Sequence, residues 1–312
     1  MYWLKKLAAM LVTLGLVTMA TFFALYLIPG DPAALILGTE ADPEALQLVR
    51  AQLGLDQPTA VQFVAWLRGL LRGDLGNSIT FSRGYSVAQL VLGALPVTIP
   101  LALLSVGVAL LIGVLFGTVA ATERGGKSFI VQYLSQISLS LPAFWLGILL
   151  IQFFAIRRGW LPPSGMPAWS TDPQGAALSL VLPIITLALP RAAVLTRTVR
   201  SALLDTIRED YIRTARSKGL PEKVVVYQHA LRNALVSIST VTGIQLIQLL
   251  AGTIVVEQVF SLPGLGRLML SAVLLRDLPL VQGAVFAGAL LILLANLLFD
   301  SLYPLLDPRV HV

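Results

Sequence analysis

Cysteine is absent from these 312 residues, and charge is scarce. Without thiols the chain forms neither disulfides nor thiolate metal sites. The two histidines, His229 and His311, are too far apart in sequence to suggest a metal site. Asp, Glu, Lys and Arg supply 12% of the residues, where a soluble domain carries about 25%. That shortage argues against the two soluble domains that length alone would suggest. No internal repeat and no low-complexity tract is present.

What fills the chain instead is apolar. Six stretches carry no Asp, Glu, Lys or Arg: Leu7–Gly30, Tyr85–Thr122, Ser128–Ile156, Pro173–Pro190, Asn233–Val256 and Leu278–Phe299. All but Pro173–Pro190 exceed the roughly 20 residues that cross a hydrocarbon core as a helix. The short one can continue through Ala192–Thr196 if Arg191 lies below the midplane. The runs are continuous rather than alternating, which favours helices over a barrel. The expected fold is an all-α membrane protein with six transmembrane helices. Lys5 and Lys6 ahead of Leu7 resemble the start of a signal peptide. The apolar run is too long for one, so it is read as a retained first span.

The net charge of +6 invites a nucleic-acid reading, but the placement of the cations points to topology. Lys5 and Lys6, Arg124 and Lys127, the segment Arg197–Arg232 and Arg309 all fall on one side of a six-span chain. Arg197–Arg232 holds eight basic residues against four acidic ones. Both termini are therefore expected in the cytoplasm. The first external loop, 29–95, should carry short helices. Asp42-Pro43-Glu44 reads as a helix start and Gly54 as its stop, with a second helix over Thr59–Leu71. Trp160 and Trp169 suit a headgroup region in the second external loop.

Loops between spans are usually short, yet 197–233 is long and looks structured. Leu204, Ile207, Tyr211 and Ala215 are spaced for one face of a helix. Gly219 supplies a left-handed stop, and Pro221 can open a second helix. Such a turn of two capped helices is suited to presenting a surface to another protein.

Decoys are present. Gly126-Lys127-Ser128 imitates the end of a phosphate-binding loop, but position 121 is Ala where the motif needs Gly. Gly113 and Gly117 form a small-residue pair suited to close helix packing. Polar residues at spanning depth face protein or water. Gln132, Gln136, Gln152, Gln245 and Gln248 are candidates for a pathway lining, with hydrogen bonding between helices as the other reading. Glu257, Arg267, Arg276 and Asp277 fall near the external ends of spans five and six, and Asn296 and Asp300 near the internal end of span six.

The loop Glu209-Asp210-Tyr211-Ile212-Arg213-Thr214-Ala215-Arg216-Ser217-Lys218-Gly219-Leu220, followed by His229-Ala230-Leu231-Arg232-Asn233-Ala234, resembles the permease subunits of bacterial ATP-binding-cassette importers. The branch is that of dipeptide, oligopeptide and nickel permeases. Matching elements run along the whole chain. They include Ile28-Pro29-Gly30-Asp31-Pro32, Leu53-Gly54-Leu55-Asp56-Gln57-Pro58, Gly73-Asp74-Leu75-Gly76-x-Ser78, Thr196-Arg197-Thr198-x-Arg200-Ser201, Phe260-Ser261-x-Pro263-Gly264-Leu265-Gly266 and Asp307-Pro308-Arg309. The Pro-Gly-Asp-Pro element is similar to that of the first of two paired permeases.

The resemblance implies one permease domain over 1–312 with the type I, MetI-like importer fold. It implies a second permease subunit, two ATPase subunits and an external solute-binding protein as partners in the lipid bilayer. ATP and magnesium would bind the ATPases, so this chain itself needs no cofactor, catalytic residue or metal. The cytoplasmic loop would dock on an ATPase, with Ala215 and Gly219 at the contact and Tyr211, Arg213, Arg216 and Lys218 flanking it. Alternating access would then import di- or oligopeptides, with nickel complexes or glutathione-like solutes as alternatives. An ion-coupled transporter would show repeats and midplane carboxylates. An intramembrane hydrolase would need a nucleophile and base within the spans.

Overall fold

Helix propensity and apolar runs act together, and helices dominate this chain. The computed structural model describes residues 2–27, 32–37, 42–52, 54–123 and 125–306. Several sequence elements lie outside the described residues: Ile28–Asp31 of the Pro-Gly-Asp-Pro element, Leu53, Arg124, Asp307-Pro308-Arg309 and His311. The helices are α1 (Tyr2–Tyr26), α2 (Pro32–Leu37), α3 (Pro43–Gln52), α4 (Thr59–Leu71), α5 (Val87–Thr122), α6 (Gly126–Ser140) and α7 (Ala143–Leu150). There follow α8 (Pro173–Ile207), α9 (Asp210–Ser217), α10 (Glu222–Val224), α11 (Leu231–Gly252), α12 (Ile254–Val259), α13 (Leu265–Leu274) and α14 (Leu278–Leu306). Two π-helical segments, Ile151–Arg157 and Val225–Ala230, extend α7 and join α10 to α11.

Among the described residues, five stretches are long and apolar enough to cross a membrane: Trp3–Tyr26, Val87–Thr122, Pro173–Ile207, Glu222–Gly252 and Leu278–Ser301. The expected third span, Ser128–Ile156, is not a straight helix. It consists of Gly126–Ser140 and Ala143–Arg157 bent by 102°, so six crossings result when this pair counts as one. The break has a local cause. Pro142 has no N–H to donate, and it drives the preceding Leu141 to an extended φ of −85° and ψ of 126°. A run recognised only by its lack of charge hides such a break.

Within the permease domain expected over 1–312, contacts cluster into two units. The first comprises Met1–Thr98 and Pro263–Leu294. Its core joins Leu25, Val87, Val91, Leu265, Leu268, Ala272, Leu280 and Ala284. Phe22 of α1 meets Phe63 and Trp66 of α4 at ring-centroid distances of 5.1 and 5.9 Å. Helix α3 begins as read. The Glu44 amide donates to the Asp42 carboxylate at 3.3 Å, and Gly54 ends the segment with a φ of +68°. The loop expected over 29–95 is shorter, because α5 already begins at Val87. Val87 is fully buried, and its amide donates to the Gly76 carbonyl at 2.9 Å, so the core captures the helix start early.

The second unit comprises Ile99–Leu262 and Ala295–Val312, and α8 is its centre. Asp172 caps α8 by accepting the Gly175 amide at 2.8 Å, and α8 packs against α6, α7 and α11. The glycine pair of α5 lies against it too. A Cβ on Gly113 would stand 2.5 Å from Leu195 Cβ, and one on Gly117 would stand 2.5 Å from Val199 Cβ and 2.8 Å from the Thr196 carbonyl. The absent side chains let two backbones meet. Gly117→Ala should therefore destabilise this unit by about 1–3 kcal/mol through overpacking. Thermal unfolding of the purified variant in detergent checks this, and an unchanged Tm would mean that α5 moves away at no cost.

Candidate functional site

The segment after α8 is built as an ordered platform. Helix α8 ends at Ile207, Glu209 is extended (φ −66°, ψ 148°), and α9 starts at Asp210. The single face expected of Leu204, Ile207, Tyr211 and Ala215 is therefore not formed, because a break separates the first two from the last two. The inward face of α9 is Ile212 and Ala215 instead. Both are buried in an apolar cluster with Val199, Leu203, Val225, Ala230, Ala234 and Ile238. This packing fastens the short helix to the inner ends of α8 and α11.

Ala215 was expected at a partner contact. The residue is only 7% exposed and packs, with Ile212 and Ile207, into this chain's own apolar cluster. Tyr211, Arg213, Arg216, Lys218 and Gly219 do lie on the exposed surface. The Tyr211 hydroxyl accepts from Asn233 Nδ2 at 2.7 Å, which ties α9 to α11. Arg213 NH1 sits 3.2 Å from Asp210 Oδ1. Arg216 donates to both Glu222 oxygens, at 3.1 and 2.6 Å, and so bridges the turn. That hydrogen bond to Glu222 raises the already high Arg216 pKa. The pair is solvent-exposed and contributes little stability.

The turn has a defined geometry. Gly219 N–H donates to the Arg216 carbonyl at 2.9 Å, and Leu220 N–H to the Ala215 carbonyl at 3.4 Å. Together these bonds form a helix-ending motif that requires a left-handed residue, and Gly219 has a φ of +76°. Pro221 follows at the N-cap of α10 and opens the second helix.

The pathway candidates divide. Gln245 and Gln248 are brought together. NH1 of Arg191 on α8 donates to Gln245 Oε1 at 3.0 Å and to Gln248 Oε1 at 2.8 Å. Gln245 is buried, Gln248 is exposed, and Arg191 is half-buried. The exposed edge of α11 then reads Asn233, Ser237, Thr240, Ile244 and Gln248, a mostly polar stripe along a span. Gln132 and Gln136 are exposed on α6 and lie elsewhere. Gln132 Nε2 turns back to its own helix at Ser128, 3.2 Å from the carbonyl and 3.1 Å from Oγ. Among the described residues, no hydrogen bond joins Gln132 or Gln136 to Gln245 or Gln248.

Two residues carry more than their sequence positions suggested. From sequence, Arg191 is simply a cation below the midplane of a continuing span, although an arginine within a span is itself a signal. Asp277 registered only as a charge near a span end. It is fully buried, and Oδ2 accepts from Ser78 Oγ at 2.6 Å and from the amides of Ile79, Thr80 and Phe81 at 3.0 Å each. Oδ1 accepts the Leu280 amide at 3.2 Å and caps α14. The Gly73–Ser78 element thus forms the turn that delivers Ser78 to this carboxylate. Burial alone would push the Asp277 carboxyl up. The Ser78 hydroxyl and the three amides outweigh it and hold the carboxyl below its ordinary value.

Comparison with known proteins now adds to this geometry. Residues 113–312 match the family described as binding-protein-dependent transport system inner membrane component, and residues 1–102 match the N-terminal part of such membrane components. A Brucella suis protein described as a candidate peptide transport system permease is 44% identical over 309 residues, 99% of this chain and 98% of its own length. The glutathione transport system permease protein of Pectobacterium atrosepticum is 41% identical over 311 residues, again 99% of this chain and 98% of its own. Among solved structures, an inward-facing form of the MetNI methionine ABC transporter is similar with a TM-score of 0.55 at 21% identity. That match covers 70% of this chain and 97% of the other. An amino acid ABC transporter gives a TM-score of 0.52 at 17% identity, covering 71% and 94%. These likenesses show the type I importer permease fold. The chain belongs to the family of inner-membrane components of binding-protein-dependent transport systems.

Proposed function

We propose that this chain is one of two permease subunits of an ATP-driven importer of di- or oligopeptides. The observation that carries this reading is the ordered platform of α9, locked to α8 and α11 by Ile212 and Ala215 while Tyr211, Arg213, Arg216 and Lys218 face outward. A push on such a platform moves the helices beneath it, whereas a loose loop would absorb it. One of two ATPase subunits docks there and the other on the second permease; together they supply the energy, so this chain hydrolyses nothing. A second permease completes the pathway, and an external solute-binding protein delivers cargo. Peptide cargo is favoured by the 44% identity to a protein named for peptide transport. Both termini and the α9 platform face the cytoplasm.

Reconstitution of the chain with a second permease, ATPases and binding protein should give ATP-dependent uptake of a labelled tripeptide. In the same vesicles, Lys218→Cys should react with impermeant thiol reagents from the cytoplasmic side, and Ala60→Cys and Ala168→Cys from the other. Labelling of Lys218→Cys from outside would overturn the coupling assignment. Uptake that ignores ATP but follows an ion gradient would favour a secondary transporter.

A further inference from the structure

Arg191 is a cation within a helix long and apolar enough to span a membrane. It lies 18 residues into the 35-residue helix α8, about 27 Å from its start at the usual helical rise. Arg197, the next cation along α8, is about 9 Å further on. A charge at such depth is rare and faces either protein or water. Arg191 has an unusual set of partners. Both of its hydrogen bonds go to neutral amide oxygens, those of Gln245 and Gln248, and both leave from NH1. Among the described residues, Nε and NH2 make no protein hydrogen bond and no carboxylate pairs with the guanidinium.

The glutamines orient the cation without neutralising it. A guanidinium carries five N–H donors in a planar fork that matches a carboxylate. With NH1 fixed on α11, the edge formed by Nε and NH2 remains for a second partner. Gln248 is exposed and stands in the polar stripe Asn233, Ser237, Thr240, Ile244 and Gln248. The position therefore combines a fixed orientation, an uncompensated positive charge and a polar track beside it. A purely structural tie between two spans could use neutral groups at lower cost.

We infer that Arg191, held by Gln245 and Gln248, is a carboxylate-binding residue of the translocation pathway, taking the terminal carboxylate of the passing solute. This rests on the peptide-import reading given above. Short peptides carry such a group at one end. When the solute leaves, NH1 keeps its bonds to the two glutamines and the guanidinium stays oriented.

The test uses the complete reconstituted importer and two probes, a labelled alanine tripeptide with a free C-terminal carboxylate and its C-terminal amide. Uptake of each is measured for the wild type and for Arg191→Gln at one subsaturating concentration. The same binding protein serves both proteins, so its own preference cancels in the variant-to-wild-type ratio. Loss of a charge-assisted contact should lower uptake of the free acid about tenfold or more and leave the amide within about twofold. Arg191→Lys, which keeps charge but loses the fork, should fall between. An equal loss for both probes would overturn the proposal and make Arg191 a tie to α11 or to a carboxylate of the second permease. Unchanged uptake of both would overturn it as well. If the wild type imports neither probe, the peptide reading fails and takes this cargo assignment with it. If it imports the acid and the variant does so equally, only the role of Arg191 fails.

Discussion

Gly219→Val is expected to abolish solute-stimulated ATP hydrolysis while leaving the chain in the membrane at normal abundance. Gly219 holds a φ of +76°, and a Cβ built there meets nothing within 4 Å. The penalty is therefore conformational rather than steric. A left-handed L-residue costs about 1–2 kcal/mol, and a β-branched one resists the region further. The turn should relax toward negative φ and break the bonds from Gly219 and Leu220 back to α9. The buried cluster beneath, Ile212 and Ala215 included, is untouched, so folding should survive. Gly219→Asn provides the control, because Asn tolerates the left-handed region while also adding a side chain. It should keep most of the stimulated hydrolysis. Pull-down of the ATPases and hydrolysis in reconstituted membranes read the outcome. If Gly219→Val behaves as wild type, the platform is a connector and not a coupling surface. Ala215→Trp is a poor probe of the same idea, because it would overpack this chain's own core.

Asp277→Ala should be the most damaging single change in the first unit. It strands the Ser78 hydroxyl, three backbone amides and the cap of α14. Leaving such a set of buried donors unpaired costs on the order of 3–5 kcal/mol. Purified Asp277→Ala should unfold on the order of 10 °C lower than wild type. The pH dependence has a definite sign. The folded carboxyl is held below its unfolded value of about 3.9, so its stabilisation is fully present above that value. It is lost as pH falls through the lower, folded pKa. The wild-type Tm should be insensitive to this group from pH 7 to about 5 and drop below about pH 4. Asp277→Asn should lack that acid-dependent part of the loss. A Tm for Asp277→Ala within a degree of wild type would show that the tie from Ser78–Phe81 to α14 carries no stability.

Much of the architecture was legible because a membrane imposes it. Charge-free runs locate spanning helices wherever hydrocarbon forbids charge. The helix over Thr59–Leu71, the Asp42 cap and the left-handed Gly54 and Gly219 followed from chemistry local to a few residues. The Gly113–Gly117 pair announced close packing, though not that α8 was the partner. The structure departs from these local patterns at two breaks. Pro142 bends a charge-free run by 102°, and α8 ends at Ile207 although the spacing through Ala215 suits one continuous helix.

By itself the amino-acid sequence determined the membrane class, the helical spans, the family resemblance and the place of the loop between α8 and α11. These depend on composition, short-range capping and motifs in a fixed order. Only the tertiary structure decided which side chains meet. It turned Ala215 inward and left Arg213 and Lys218 outward, because the rotation of α9 is set by packing Ile212 beneath it. It joined Asp277 to Ser78 across 199 positions of sequence, and Arg191 to Gln245 and Gln248 across 54 and 57. Such pairings depend on how helices pack in space, and no periodicity along one segment records them.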